Sequence, residues 1–243
     1  MKRNLLYHVY PLRNSIWKWN IDLLNRHASI FNGRVIISIA IDESTDHFKE
    51  VISLIKIPNA EIVVVKNDPN RAEGVTFLPA LGELASDNPD EATFYAHAKG
   101  VARSIKRPYE TENVKAWVEC MWHANTASVE LIELALKDYA CAGCFQRFGQ
   151  HGGGSWHFGG TFYWVKHSEI FKGNWKDIDP GYYGVEGWIG RQVAKEKAFC
   201  IFNLLLKDLY QKKILPYEYE RAPKMALADL QLEHEETATG KRD

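Results

Sequence analysis

Residues 33–70, GRVIISIAIDESTDHFKEVISLIKIPNAEIVVVKNDPN, read as strand, helix, strand. Val35–Ile41 is a nearly unbroken apolar run, as expected for a strand covered on both faces. His47–Ile55 has the pattern of a short helix. Ala60–Lys66 is a further apolar run, expected as a buried strand, and Asn67-Asp68-Pro69-Asn70 forms a turn after it. Two such strands joined through a helix lie parallel in one sheet, because the crossover returns the chain to its starting edge, with right-handed connection the rule.

The same alternation extends both ways. Asn4–Tyr10 (NLLYHVY) is a strand stopped by Pro11, and Asn14 or Ser15 caps a helix running to about Phe31. Gly74–Ser86 reads as a helix despite Pro79, and Ala92–His97 as a fourth strand opening into Ala98-Lys99-Gly100. The fold class is therefore α/β, a mostly parallel sheet flanked by helices. Beyond residue 108 the pattern is more mixed. Thr111–Ala140 is helical with a break near Asn125, Cys141–Phe148 is a strand, Gln150–Ser155 a flexible loop, and Trp156–His167 an aromatic strand. Gly184–Lys195 then reads as a short helix and Ala198–Leu206 as a last strand or buried element. This second half is a smaller mixed α+β portion. One domain over residues 1–215 is expected, with halves 1–108 and 109–215. From Tyr217 the tail carries seven acidic and four basic residues, so residues 216–243 are expected as a solvated helix followed by disorder.

Composition narrows the function. Apolar residues make up 46% and charged residues 25%, within the range of folded globular chains. With 30 Lys+Arg against 31 Asp+Glu the net charge is −1, which argues against a nucleic-acid partner. No apolar run approaches the ~20 residues of a membrane span. The basic start is interrupted by a histidine and Pro11, unlike a secretory leader, so a cytoplasmic location is expected. Four cysteines do not make a disulfide framework, and Cys141-Ala142-Gly143-Cys144 lies in an apolar run that suits burial better than metal or redox work.

In open parallel sheets ligands sit beyond the carboxyl ends of the strands. Four polar groups fall there: Pro11-Leu12-Arg13-Asn14, Asp42-Glu43-Ser44, Asn67 to Gly74, and His97-Ala98-Lys99-Gly100 with Arg103, Lys106 and Arg107 behind. Residues 95–115 hold five basic and two acidic side chains, a local excess suited to a phosphorylated ligand or to a solvated charged loop. No G-x-G-x-x-G follows a strand, which disfavours a dinucleotide oxidoreductase.

The order NLLYHVYP, RVIISIAID, EIVVVKNDPNRAEG, ATFYAHAKG resembles the nucleotide-sugar half of GT-A glycosyltransferases. The later pieces HFGGTFYWVKH and YGVEGWIGRQV are similar to a bacterial and phage subgroup with H-x-K-G where family 2-like members carry D-x-D. The resemblance covers residues 4 to about 206. It implies that Pro11 and Arg13 line a nucleotide pocket, that Asp42 accepts from the base, and that Asp68 and Arg71 lie near the nucleotide. It also implies that His97 and Lys99 replace the D-x-D pair and that Glu186 is the catalytic carboxylate. The implied activity is transfer of a sugar from a nucleotide-diphosphate donor to a glycan or other hydroxyl acceptor. The alternative is a binding module of the same fold without catalysis.

The missing D-x-D removes the expected Mn²⁺ or Mg²⁺ ligands, so no cofactor is expected and no metal ligand is named, with Asp42 or Asp68 left as the alternative holders of such an ion, and Lys99 is expected to neutralise the leaving diphosphate. Asp177-Ile178-Asp179 has the spacing but reads as a turn before Pro180. Glu186 is expected as a desolvated base of raised pKa. Trp188 is expected on the sugar face, and His157, Gly159 and Gly160 beside the acceptor, glycines in an aromatic strand allowing close approach.

Overall fold

The structure is a computed structural model and describes residues 1–204 and 208–239. The first half alternates as β1 Lys2–Val9, α1 Ile16–His27, β2 Val35–Ile41, α2 Phe48–Leu54, β3 Glu61–Lys66, α3 Gly74–Gly82 and β4 Glu91–His97. Then come α4 Val101–Lys106, α5 Thr111–Thr126 and α6 Val129–Asp138. The rest is β5 Cys141–Cys144, β6 Gln146–His151, β7 Gly154–Phe158, β8 Tyr163–Lys166, α7 His167–Ile170, α8 Gly184–Gln192, β9 Ala198–Phe202, α9 Pro216–Tyr219 and α10 Ala222–Thr239.

Among the described residues, seven strands make one sheet in the order β3-β2-β1-β4-β8-β5-β9. All neighbours are parallel except β8, which runs antiparallel to both β4 and β5. This is a mostly parallel α/β sheet flanked by helices, with β6 and β7 forming a separate antiparallel hairpin. Strand alternation divides the apolar residues between two cores. Leu5, Tyr7 and Val9 of β1 and Phe94 of β4 face Trp17 and Leu24 of α1, Trp122 of α5 and Leu131 of α6. Leu6, Ile36 and Tyr95 point the other way, onto Phe77 of α3 and Trp188 and Ile189 of α8. Of the described helices, none is long and apolar enough to cross a membrane.

Five local expectations are corrected. The Ala60–Lys66 strand is not buried: β3 is a sheet edge, with Val63 41% and Val64 38% exposed. Ile62 packs partly against the main core, while Val63 and Val64 are left open. The Cys141–Phe148 strand divides at Phe145, whose left-handed φ of 58° turns the chain out of the large sheet into the hairpin. The loop at Gln150–Ser155 is a turn of that hairpin, and the Trp156–His167 strand is β7 and β8 with Gly159–Phe162 between them. The expected solvated tail helix is α10, which buries Leu230 and bonds to α6 through His234 Nε2 and Asp138 Oδ2 at 2.7 Å. The expected end of the last strand at residues 205–206, and the tail beyond residue 239, lie outside the described residues. The expected break in the long helix is real: Ser128 Oγ accepts from Leu131 N at 3.1 Å and starts α6 afresh.

Candidate functional site

Glycines bring two distant segments together. Gly184, Gly187 and Gly190 recur every third residue along α8: Gly187 lies against His151 and Gly152 of the hairpin turn, Gly190 against Trp156 of β7, and Gly184 against Asp179. A Cβ on Gly187 would stand 2.5 Å from the Gly152 carbonyl carbon, and one on Gly190 would stand 2.8 Å from that of Trp156. Only backbone fits between hairpin and helix. Glycine inside a helix costs about 1 kcal/mol against alanine, so this stripe is held at a cost by the packing it permits.

The seam places His151 beside Glu186. His151 Nε2 donates to Glu186 Oε2 at 2.8 Å. The His151 ring stacks on His157 with centroids 4.4 Å apart, and the Tyr183 ring centroid lies 4.8 Å from it. One ligand atom each from His151, His157 and Glu186 falls within a common 4.8 Å. Among the described residues, His157 Nδ1 is buried without a hydrogen-bond partner. These groups form one wall of a cleft of about 380 Å³, with Arg103, Trp117, Arg147, Gly159 and Tyr210 on the others. Arg103 lies over the Tyr210 ring at 3.7 Å, and Arg147 donates to Asn203 Oδ1 at 2.6 Å.

Lys99 leaves the end of β4, and its Nζ sits 4.5 Å over the Trp117 ring. Its charge reaches both Glu186 and His157. Burial pushes the Glu186 carboxyl up, but Lys99 and the hydrogen bond and charge of His151 outweigh it and the net shift is downward. The expected raised pKa is thus reversed, because Lys99 and His151 come from segments far from the helix in sequence. Burial holds His157 neutral, with its pKa lowered to about 4.

Neither a known family model nor a curated protein matches this chain.

The other expected site residues divide between this cleft and elsewhere. Lys99, Glu186, His157 and Gly159 come together in or beside it. Asp42 and Arg13 line a different cavity, of about 400 Å³, between the ends of β1 and β2. Asp42 Oδ2 accepts from Tyr10 Oη at 2.6 Å and Asn67 Nδ2 at 2.8 Å, and Oδ1 accepts from Ser44 N at 2.8 Å and Ser44 Oγ at 2.5 Å. Burial raises the Asp42 pKa, yet these donors overcome it and hold it at about 2. All four acceptor positions are filled by protein, so a base must displace one to bind there. Pro11 is buried beneath that loop, its carbonyl accepting from Asp46 N at 2.8 Å. Asp68 makes a turn by accepting from Asn70 N at 3.0 Å, and exposed Arg71 folds back on Gly74 O at 3.1 Å.

Three residues face away from any ligand. Trp188 is fully buried, edge-on to Phe77 at 5.0 Å, with Nε1 donating to Trp175 O at 2.8 Å. It is core, not a sugar platform. Gly160 is buried with a φ of 95°, and its missing side chain would point at Met121 and Trp117 rather than at an acceptor. His97 is buried and its Nδ1 meets Glu73 Oε1. Glu73, which also accepts from Tyr95 Oη at 2.9 Å, is raised by desolvation but lowered further by His97 and His8, to about 2. Cys141 and Cys144 are buried, and burial pushes both thiols up.

Glu73, His151 and the cleft residue Arg147 were not selected from the sequence. Glu73 sat inside the Asn67–Gly74 group. His151 carried a signal in its H-x5-H spacing to His157, masked by the apparent floppiness of three following glycines.

Proposed function

We propose that this chain is a glycosyltransferase of the GT-A type, moving a sugar from a nucleotide-diphosphate donor to a hydroxyl acceptor. The supporting observation is the meeting of Lys99 and Glu186, 87 positions apart, in electrostatic contact beside one cleft at the carboxyl end of β4. The donor diphosphate lies towards Lys99 and Arg103. The acceptor hydroxyl approaches Glu186, which takes its proton as the oxygen bonds to the anomeric carbon. The carbon–oxygen bond to the diphosphate breaks, and the leaving charge is held by the cations. His151 keeps the Glu186 carboxylate oriented, and the lowered pKa keeps it ionised at neutral pH.

The test uses thermal shift with nucleoside diphosphates, then donor turnover. Wild-type protein is expected to be stabilised by one base class and to turn over its sugar. Glu186→Gln is expected to retain the stabilisation and lose turnover. Turnover that survives the substitution removes Glu186 from the chemistry. Stabilisation by no nucleotide removes the donor assignment.

A further inference from the structure

We propose that His151, His157 and Glu186 bind a divalent transition-metal ion of the zinc class, with an open coordination position facing the cleft. The donor set is two imidazoles and one carboxylate within a common 4.8 Å. Nitrogen-rich sets of this kind suit zinc and its first-row neighbours, whereas magnesium and calcium prefer oxygen alone. Three protein ligands leave one tetrahedral position for water or a ligand oxygen.

The scaffold is fixed before the ion arrives. His151 and His157 belong to the two ends of one hairpin, with His157 opposite Arg147 in register. The hairpin is locked to α8 by main-chain contact at Gly187. Ligand atoms around a tetrahedral zinc stand roughly 3.3 Å apart, from bond lengths of about 2.0–2.1 Å. The 2.8 Å bond between His151 and Glu186 therefore opens slightly and the His157 ring moves in, both side-chain rotations. All three residues are half-buried on the wall of the 380 Å³ cleft, so an ion has a route in. Lys99 opposes a second cation here, and an anion spanning Lys99 and the ion removes that opposition.

This inference does not rest on the glycosyltransferase reading. The ion and a proton are alternative occupants of the Glu186 carboxylate, so a bound ion makes Glu186 a ligand rather than a base.

The experiment titrates Co²⁺ and Zn²⁺ into chelator-stripped full-length protein. One equivalent is expected to bind, with the visible Co²⁺ bands of a four-coordinate nitrogen–oxygen site displaced by Zn²⁺. At 100 times its Kd, Zn²⁺ is expected to raise Tm by about 5–10 °C. His151→Gln and His157→Gln, each checked to melt like wild type in EDTA, are expected to weaken binding by at least about 100-fold. Absence of a stoichiometric Co²⁺ spectrum in wild type overturns the proposal, whatever the variants do. Unchanged affinity in whichever histidine variant folds also overturns it. Nucleoside diphosphate binding measured in EDTA tests the proposed function separately, so either idea can fail alone.

Discussion

Gly187→Ala tests the seam that builds the site. The added methyl would stand 2.5 Å from the Gly152 carbonyl carbon, and carbon pairs rest at about 3.5 Å, so helix and hairpin must part by roughly 1 Å. Both sides are backbone, and no rotamer relieves the overlap. Overpacking of this kind costs about 3 kcal/mol, the upper end of its ordinary range. Loss of the 2.8 Å bond between His151 and Glu186 adds about 1 kcal/mol, and the better helix propensity of alanine returns about 1 kcal/mol. The net expectation is about 3 kcal/mol, or roughly 6–12 °C in Tm for a chain of this size. Thermal melts and urea titrations measure it. Gly173→Ala is the control, since a Cβ there meets nothing within 4 Å, and it should melt within about 2 °C of wild type. If Gly187→Ala melts with or above wild type, helix propensity has prevailed and the close packing does not position His151.

Lys99→Met should weaken nucleoside diphosphate binding by about 10–100-fold in calorimetry, the loss of one charge-assisted contact, and unchanged affinity would move the phosphate elsewhere. Trp188→Ala should cost about 3–5 kcal/mol in urea titration, with folding rather than ligand affinity affected first. Burial lowers His8, His27 and His167 to about 4, so between pH 6.5 and 4 the unfolded chain holds protons that the folded chain does not. Stability then rises with pH across that window, and His167→Gln should flatten the dependence of the urea midpoint on pH. Glu73, lowered to about 2, extends the same sign to the window from pH 4.5 down to 2, which Glu73→Gln should remove from the acid-unfolding curve.

The parallel half of the sheet was legible because its strands carry their own evidence. Val35–Ile41 and Ala92–His97 are apolar on both faces, and a strand so built requires helices on each side. The same logic failed at β3, because EIVVVK states that a strand is apolar and not whether a neighbour arrives to cover it. Lys99 and Glu186 were found through local chemistry at an element's end. His151 was missed because its partner lies 35 residues away and the link is made of glycine, which leaves no side-chain pattern. Trp188 could have been placed from the helix period. Val185, Trp188 and Ile189 make one apolar stripe, which leaves Glu186 on the other face. The sign of the Glu186 shift depends on Lys99 after β4 and His151 in the hairpin, two segments that no single stretch contains.

The bare flank of β3 carries a colloidal consequence. Six residues present a ladder of main-chain donors and acceptors to solvent with two exposed valines between them, the arrangement that invites another strand to zip on. What stands guard is charge at either end. Glu61 is held by Arg34 Nη2 at 2.7 Å, and Lys66 stands exposed at the far end. Neutralising Lys66 leaves the fold untouched and strips one gatekeeper, so its effect belongs in turbidity and light scattering at high concentration rather than in the melting curve.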